Sequence, residues 1–145
     1  MPEYVDTLIC DAIRPEANNK ATLLGLLGES IFVPAIPTQL ASLGIMQRWR
    51  PLPGDAPGSS FQFSFELQGP GGQPRIPIPP QPLVVPGGPR GLLNLVVQIQ
   101  GFLVPAEGDY TITTIIDGHI RNTYAFFIGV PPQPTRQGLI GFSTS

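Results

Sequence analysis

The most regular alternation in the chain is "FQFSFEL". Phe61, Phe63, Phe65 and Leu67 fall on one side of an extended strand, and Gln62, Ser64 and Glu66 on the other. A strand of this kind has one face in a core and one in water. The same two-residue period in "LASLGIMQRW" (40–49) puts Leu43, Ile45, Gln47 and Trp49 on one face, which sends Trp49 inward and its neighbours Arg48 and Arg50 outward. Residues 4–13, "YVDTLICDAI", are rich in β-formers and stop near "RPEANN", where Pro and Asn suit a turn. "KATLLGLLGESIFV" (20–33) has the leucines of a short helix, but Gly25 and Gly28 break that pattern. It reads as one strand, interrupted or bent near the glycines. "GLLNLVVQIQGFLV" (91–104) is almost continuously apolar. That suits a central strand covered on both faces, or one that bends at Gly101.

The strongest local signal comes late. "DYTITTII" and "HIRNTYAFFIGV" are joined by Asp117 and Gly118. An Asp-Gly pair between β-rich runs predicts a two-residue hairpin, because both central positions need positive φ. Helical content is expected to be low. The spacings predict an all-β chain: an immunoglobulin-like β-sandwich of seven to eight mostly antiparallel strands with Greek-key connections. Residues 1–130 form the single domain, and residues 131–145 a Pro-rich C-terminal tail.

Two details favour the immunoglobulin-like arrangement. Tyr110, two residues after Gly108, starts the penultimate strand, where such sandwiches tie down a corner through a tyrosine hydroxyl. Trp49 closes the third predicted strand on its apolar face, near the usual place of a buried tryptophan. With Cys10 as the lone cysteine there is no inter-sheet disulfide, so the architecture is shared but the antibody-type domain is not.

Composition sharpens the middle of the chain. The 19 prolines and 17 glycines stand beside 41% hydrophobic residues, which is a globular balance with many punctuated turns. "PRIPIPPQPLVVPGGPR" (74–90) is too early to be a linker, because the hairpin and the Tyr110 corner lie beyond it. Ile76 and Ile78 alternate with Pro77 and Pro79. That is the pattern of an edge strand in which proline blocks further pairing. At 145 residues, such a domain buries about 68–70% of its unfolded surface and needs no metal or disulfide.

Charge is sparse at 12%, with a net charge of −2. Seven arginines and Lys20 are scattered, so the basic footprint of a nucleic-acid binder is missing. The opening residues carry Glu3 and Asp6 where a signal peptide has a basic start, and no apolar run reaches the roughly 18 residues of a membrane span. A cytoplasmic protein is the expectation.

Candidate chemistry is thin. His119, the lone histidine, follows the hairpin turn and reads as an exposed turn residue. Cys10 lies in a β-rich run, where a thiol is buried and inert. A Cys10–His119 pair needs the first and last strands to converge. Glu107, Asp109 and Asp117 flank one late strand, but Asp109 and Asp117 stand at its opposite ends, roughly 25 Å apart at strand rise. "GPGGQP" lacks the Lys and following helix of a phosphate loop. The reading names no catalytic, cofactor-binding or metal-ligating residue. In the tail, Leu139, Ile140 and Phe142 offer apolar anchors for a partner, or for the domain itself.

"CDAIRPEANNKATLLGLLGESIFVPAIP" (10–37) and "EGDYTITTIIDG" (107–118) together carry a resemblance. An acidic residue, a turn, a Lys, an apolar run, Gly and Pro, followed late by Gly-x-Tyr and the Asp-Gly hairpin, resemble an uncharacterised bacterial family of short β-sandwich proteins. The resemblance implies that fold and brings no established activity. The functional expectation is therefore a non-enzymatic structural or interaction module. It would act by self-association, as a homo-oligomer, or by docking on a larger protein assembly. The alternative is a small-ligand or glycan-binding module using the end loops, and an enzyme ranks third.

Overall fold

The computed structural model describes residues 1–16, 21–87 and 91–132. Among them nine strands run in chain order: β1 (Glu3–Pro15), β2 (Ala21–Leu27), β3 (Ser30–Phe32), β4 (Thr38–Arg50), β5 (Ser60–Gln68), β6 (Arg75–Val84), β7 (Leu93–Val104), β8 (Gly108–Ile116) and β9 (His119–Gly129). One sheet has the order β2-β1-β4-β7, here sheet A. The other, sheet B, has the order β3-β9-β8-β5-β6. Every pairing is antiparallel except β3 with β9. The chain changes sheets on both sides of β3, between β4 and β5, and on both sides of β7. The result is an immunoglobulin-like β-sandwich with crossed connections.

The strand count exceeds the expected seven to eight because residues 20–33 do not stay in one sheet. Gly25 holds φ at +66° and bends β2, and the chain then leaves sheet A at Gly28. β3 resumes on the other side, where Phe127 N donates to Glu29 O at 2.8 Å and Val33 N to Gly129 O at 2.9 Å. One interrupted strand has become two strands in two sheets.

Elsewhere the alternation places the core. Phe63, Phe65 and Leu67 of β5 are buried, as are Leu43, Ile45 and Trp49 of β4. Trp49 is 1% exposed and packs edge-on against Tyr4 at 5.4 Å and Phe63 at 5.6 Å. Tyr110 Oη donates to Ala106 O at 2.6 Å, the corner tie expected at the head of β8. Asp117 at φ 49° and Gly118 at φ 82° make the two-residue turn between β8 and β9.

β6 is an edge strand of sheet B, hydrogen-bonded to β5 alone among the described residues. Pro77, Pro79, Pro80 and Pro82 lie within it, and a register shift opposite residues 63–65 bends it further. Residues 75–84 of the proline-rich stretch are thus part of the fold, as the Ile-Pro alternation implied.

The apolar strand β7 departs from its expectation. It bends at Gly101, with φ +64°, but it is an edge strand of sheet A and not a central one. Its inner residues Leu93, Leu95, Val97, Phe102 and Val104 are buried, whereas Val96 and Leu103 on the other face are 37% and 58% exposed. The composition reports one well-covered face and does not report hydrogen-bonding order, so the two situations look alike in sequence.

Candidate functional site

Of the catalytic candidates, none is brought together. Cys10 is fully buried in sheet A, on the face away from the main core, packed with Ile13 and Met46 over Gly44. Its thiol donates to Ala12 O at 3.3 Å and Gly44 O at 3.7 Å. Burial pushes the thiol pKa up against the opposing pull of the Ala12 contact, which keeps it protonated and unreactive. His119 sits exposed at the β8–β9 turn in sheet B. Asp117 Oδ1 accepts from Gln62 N at 2.9 Å and Glu107 Oε1 from Val130 N at 3.2 Å, so both carboxylates brace loops. Among the described residues no group of three or more His, Cys, Asp or Glu could hold a metal ion. Leu139, Ile140 and Phe142 lie outside the described residues.

The arginines flanking Trp49 point outward, as strand parity requires. Arg48 Nε donates to Asp6 Oδ1 at 2.7 Å, and this pairing holds the Asp6 carboxyl below its ordinary range. Arg50 approaches Glu3 at 3.9 Å. These pairs cross β1 and β4, so the Arg-Trp-Arg triplet is spent on the fold.

What sheet A leaves open is more informative. A sandwich of two open sheets has four edges, and natural edges are blunted by proline, charge, bulges or shortness. In sheet B one edge, β6, carries prolines, and the other, β3, is three residues long. In sheet A neither edge has a proline or a charge: β2 reads "ATLLGLL" and β7 reads "LNLVVQIQGFLV". Gly25 leaves β2 no straight run longer than residues 21–24. β7 is straight over residues 93–100, about 26 Å at strand rise. Among the described residues it pairs with β4 alone.

Beside that edge lies a groove of about 690 Å³ on the outer face of sheet A. Met46 and Val96 form its apolar floor, with Asn94 and Gln98 of β7 along it. Ile13 and Glu16 at the end of β1 make one wall, and the end of β6 with Val84 and Pro86 the other. Gln98 also accepts from Ile13 N at 3.2 Å, which anchors that wall to β7. An extended segment added to β7 would gain main-chain hydrogen bonds and lay alternate side chains into this groove. A second cavity of about 610 Å³ lies at the loop end, lined by Arg50, Leu52, Asp55, Val85 and Pro86 among others.

Sequence reasoning missed the edge and the groove because both depend on which strands are neighbours. It also passed over a polar tie inside the core. Gln47 sits at an inward position between Ile45 and Trp49, fully buried. Its Oε1 accepts from Thr114 Oγ1 at 2.6 Å and Trp49 Nε1 at 3.3 Å, and its Nε2 donates to Thr7 Oγ1 at 3.1 Å. A polar residue at apolar parity was the available signal.

Residues 6–129 match the model of a family described as "Family of unknown function (DUF6941)", and the chain belongs to that family. No curated protein matches it.

Proposed function

We propose that this protein is a non-enzymatic interaction module that docks, on itself or on a larger protein assembly, by pairing a strand along β7. One observation carries the reading: a long, uncharged strand ends sheet A with no proline and no charge to block pairing. The groove beside it supplies side-chain subsites for the incoming strand. The candidate nucleophile and base, Cys10 and His119, stand in different sheets, which is why the reading is not enzymatic. A cytoplasmic setting, in which Cys10 stays a thiol, belongs to the same reading, and Leu139, Ile140 and Phe142 remain candidate partner contacts from the tail.

The test is a photo-crosslinking amino acid at position 103, whose side chain is exposed on β7, expressed in the cells the protein comes from. A discrete adduct to a single protein, itself or another, is expected, with none from the same probe at position 121 on β9. Absence of any adduct from position 103 refutes docking along β7.

A second reading, small-ligand binding at the loop end, is favoured by the cavity beside Arg50 and Asp55. No aromatic ring is among its described lining residues, so stacking on a sugar has no platform there. Chemical-shift changes confined to residues 50–57 on adding a small ligand would favour it.

A further inference from the structure

The partner that β7 fits best follows from its own sequence. A strand that is apolar on its inner face and uncharged throughout is composed like the interior of a sheet, yet it stands at an edge. We infer that it is interior in the assembled protein: two copies pair β7 to β7 in antiparallel fashion across a two-fold axis, joining the two four-stranded sheets into one of eight strands. This rests on the docking reading above and names its partner.

Self-pairing sets a condition that most edges fail. In a two-fold pair every residue near the axis faces itself or a close neighbour in the other copy, so any charge there meets its like. β7 carries no charge over its 12 residues. An edge built for a different protein has no such constraint and would gain specificity from a charge of one sign. The exposed positions are small amides and apolar side chains, Asn94, Val96, Gln98 and Gln100, which tolerate facing their own kind. β2 is uncharged as well, but its bend at Gly25 breaks it after residue 24, and a β2-to-β7 pairing would be head-to-tail, giving a ring or a filament and not a dimer. The two-fold β7 pair closes, while the protected edges of sheet B stay out of it.

The experiment uses the full chain and two charge variants, Asn94→Lys/Gln100→Lys and Asn94→Glu/Gln100→Glu. Both positions are exposed, so neither variant disturbs the core. Light scattering coupled to size exclusion should find the wild-type chain dimeric and each variant weakened on the order of tenfold or more in dimer affinity. Near-UV circular dichroism should be unchanged. A one-to-one mixture of the two variants should restore a dimer, because Lys then faces Glu. A monomeric wild-type chain overturns the inference, and so does a dimer indifferent to both variants or a mixture that stays monomeric. A dimer lost instead on replacing Leu24 and Leu26, or Leu139 and Phe142, also overturns it, by moving the contact to β2 or to the tail. If the chain is monomeric but the probe at position 103 captures another protein, this inference fails and the docking reading stands. If the probe captures nothing, both fail.

Discussion

Gln47 of β4 and Thr114 of β8 meet across the two sheets at 2.6 Å, both without solvent exposure. Immunoglobulin-type sandwiches often join their sheets by a disulfide. Here a hydrogen bond does so, in a chain whose single cysteine lies on the far side of sheet A. The indole N–H of Trp49 can only donate, which orients the Gln47 amide with its oxygen toward Trp49 and Thr114 and its nitrogen toward Thr7. Gln47→Leu leaves Trp49 Nε1 and Thr114 Oγ1 without this partner in the interior, while Thr7 keeps its contact with Tyr4 Oη, and should cost about 1–3 kcal/mol in urea unfolding. Thr114→Val removes one donor and should cost about 1 kcal/mol. The double variant should lose less than the sum, since the two side chains share one bond.

Tyr110 fixes the corner before β8 through its hydroxyl, and burial raises the phenol pKa against the hydrogen bond to Ala106, so it stays a donor. Tyr110→Phe keeps the ring and its contacts with Phe102 and Phe126. The expected loss is about 1 kcal/mol, a fall of about 3 °C in Tm by calorimetry.

Gly44 is the floor on which the outer cluster of sheet A closes. A Cβ there would stand 2.8 Å from Cys10 Sγ and 2.9 Å from Ile13 Cγ1, and both side chains are buried. Gly44→Ala should therefore destabilise by about 1–3 kcal/mol, despite removing a flexible residue from a strand. Thiol labelling of Cys10 under native conditions should speed up in parallel, as the Ile13 wall lifts.

The Asp6–Arg48 pair gives a pH signature. The hydrogen bond from Arg48 lowers the Asp6 pKa from 3.8, partial burial opposes it, and the guanidinium charge adds to it. A folded pKa below the unfolded one means that the stabilisation is complete above the unfolded value and is lost as pH falls through the folded value. Both side chains are about a third exposed, at 33% and 37%, so the pair is worth about 0.5 kcal/mol after solvent screening. Stability measured for wild type and Asp6→Asn should differ by that amount at neutral pH and converge below pH 3.8.

The features legible in sequence were local ones. The Phe61–Leu67 alternation, the Asp117-Gly118 turn, the Tyr110 corner and the Ile-Pro rhythm of β6 each depend on residues within a few positions of one another. Strand order does not. Nothing near β7 says that β4 is its neighbour on one side and that no described strand pairs with the other. Nothing within 20–33 says that β2 and β3 belong to different sheets, although Gly25 and Gly28 marked where the chain could turn. Gln47 looked like one more inward position because its partners Thr7 and Thr114 come from two other strands.

The central claim is that β7 is paired in the assembled protein, and amide hydrogen exchange reads this directly. At high protein concentration the amides of residues 93–100 should exchange as slowly as those of β4, a strand flanked on both sides. On dilution, alternate amides of β7 should lose protection while β4 does not change. Fast exchange at alternate β7 amides, the same at every concentration, would mark an edge open to water in the purified chain and would contradict the pairing of β7 with β7.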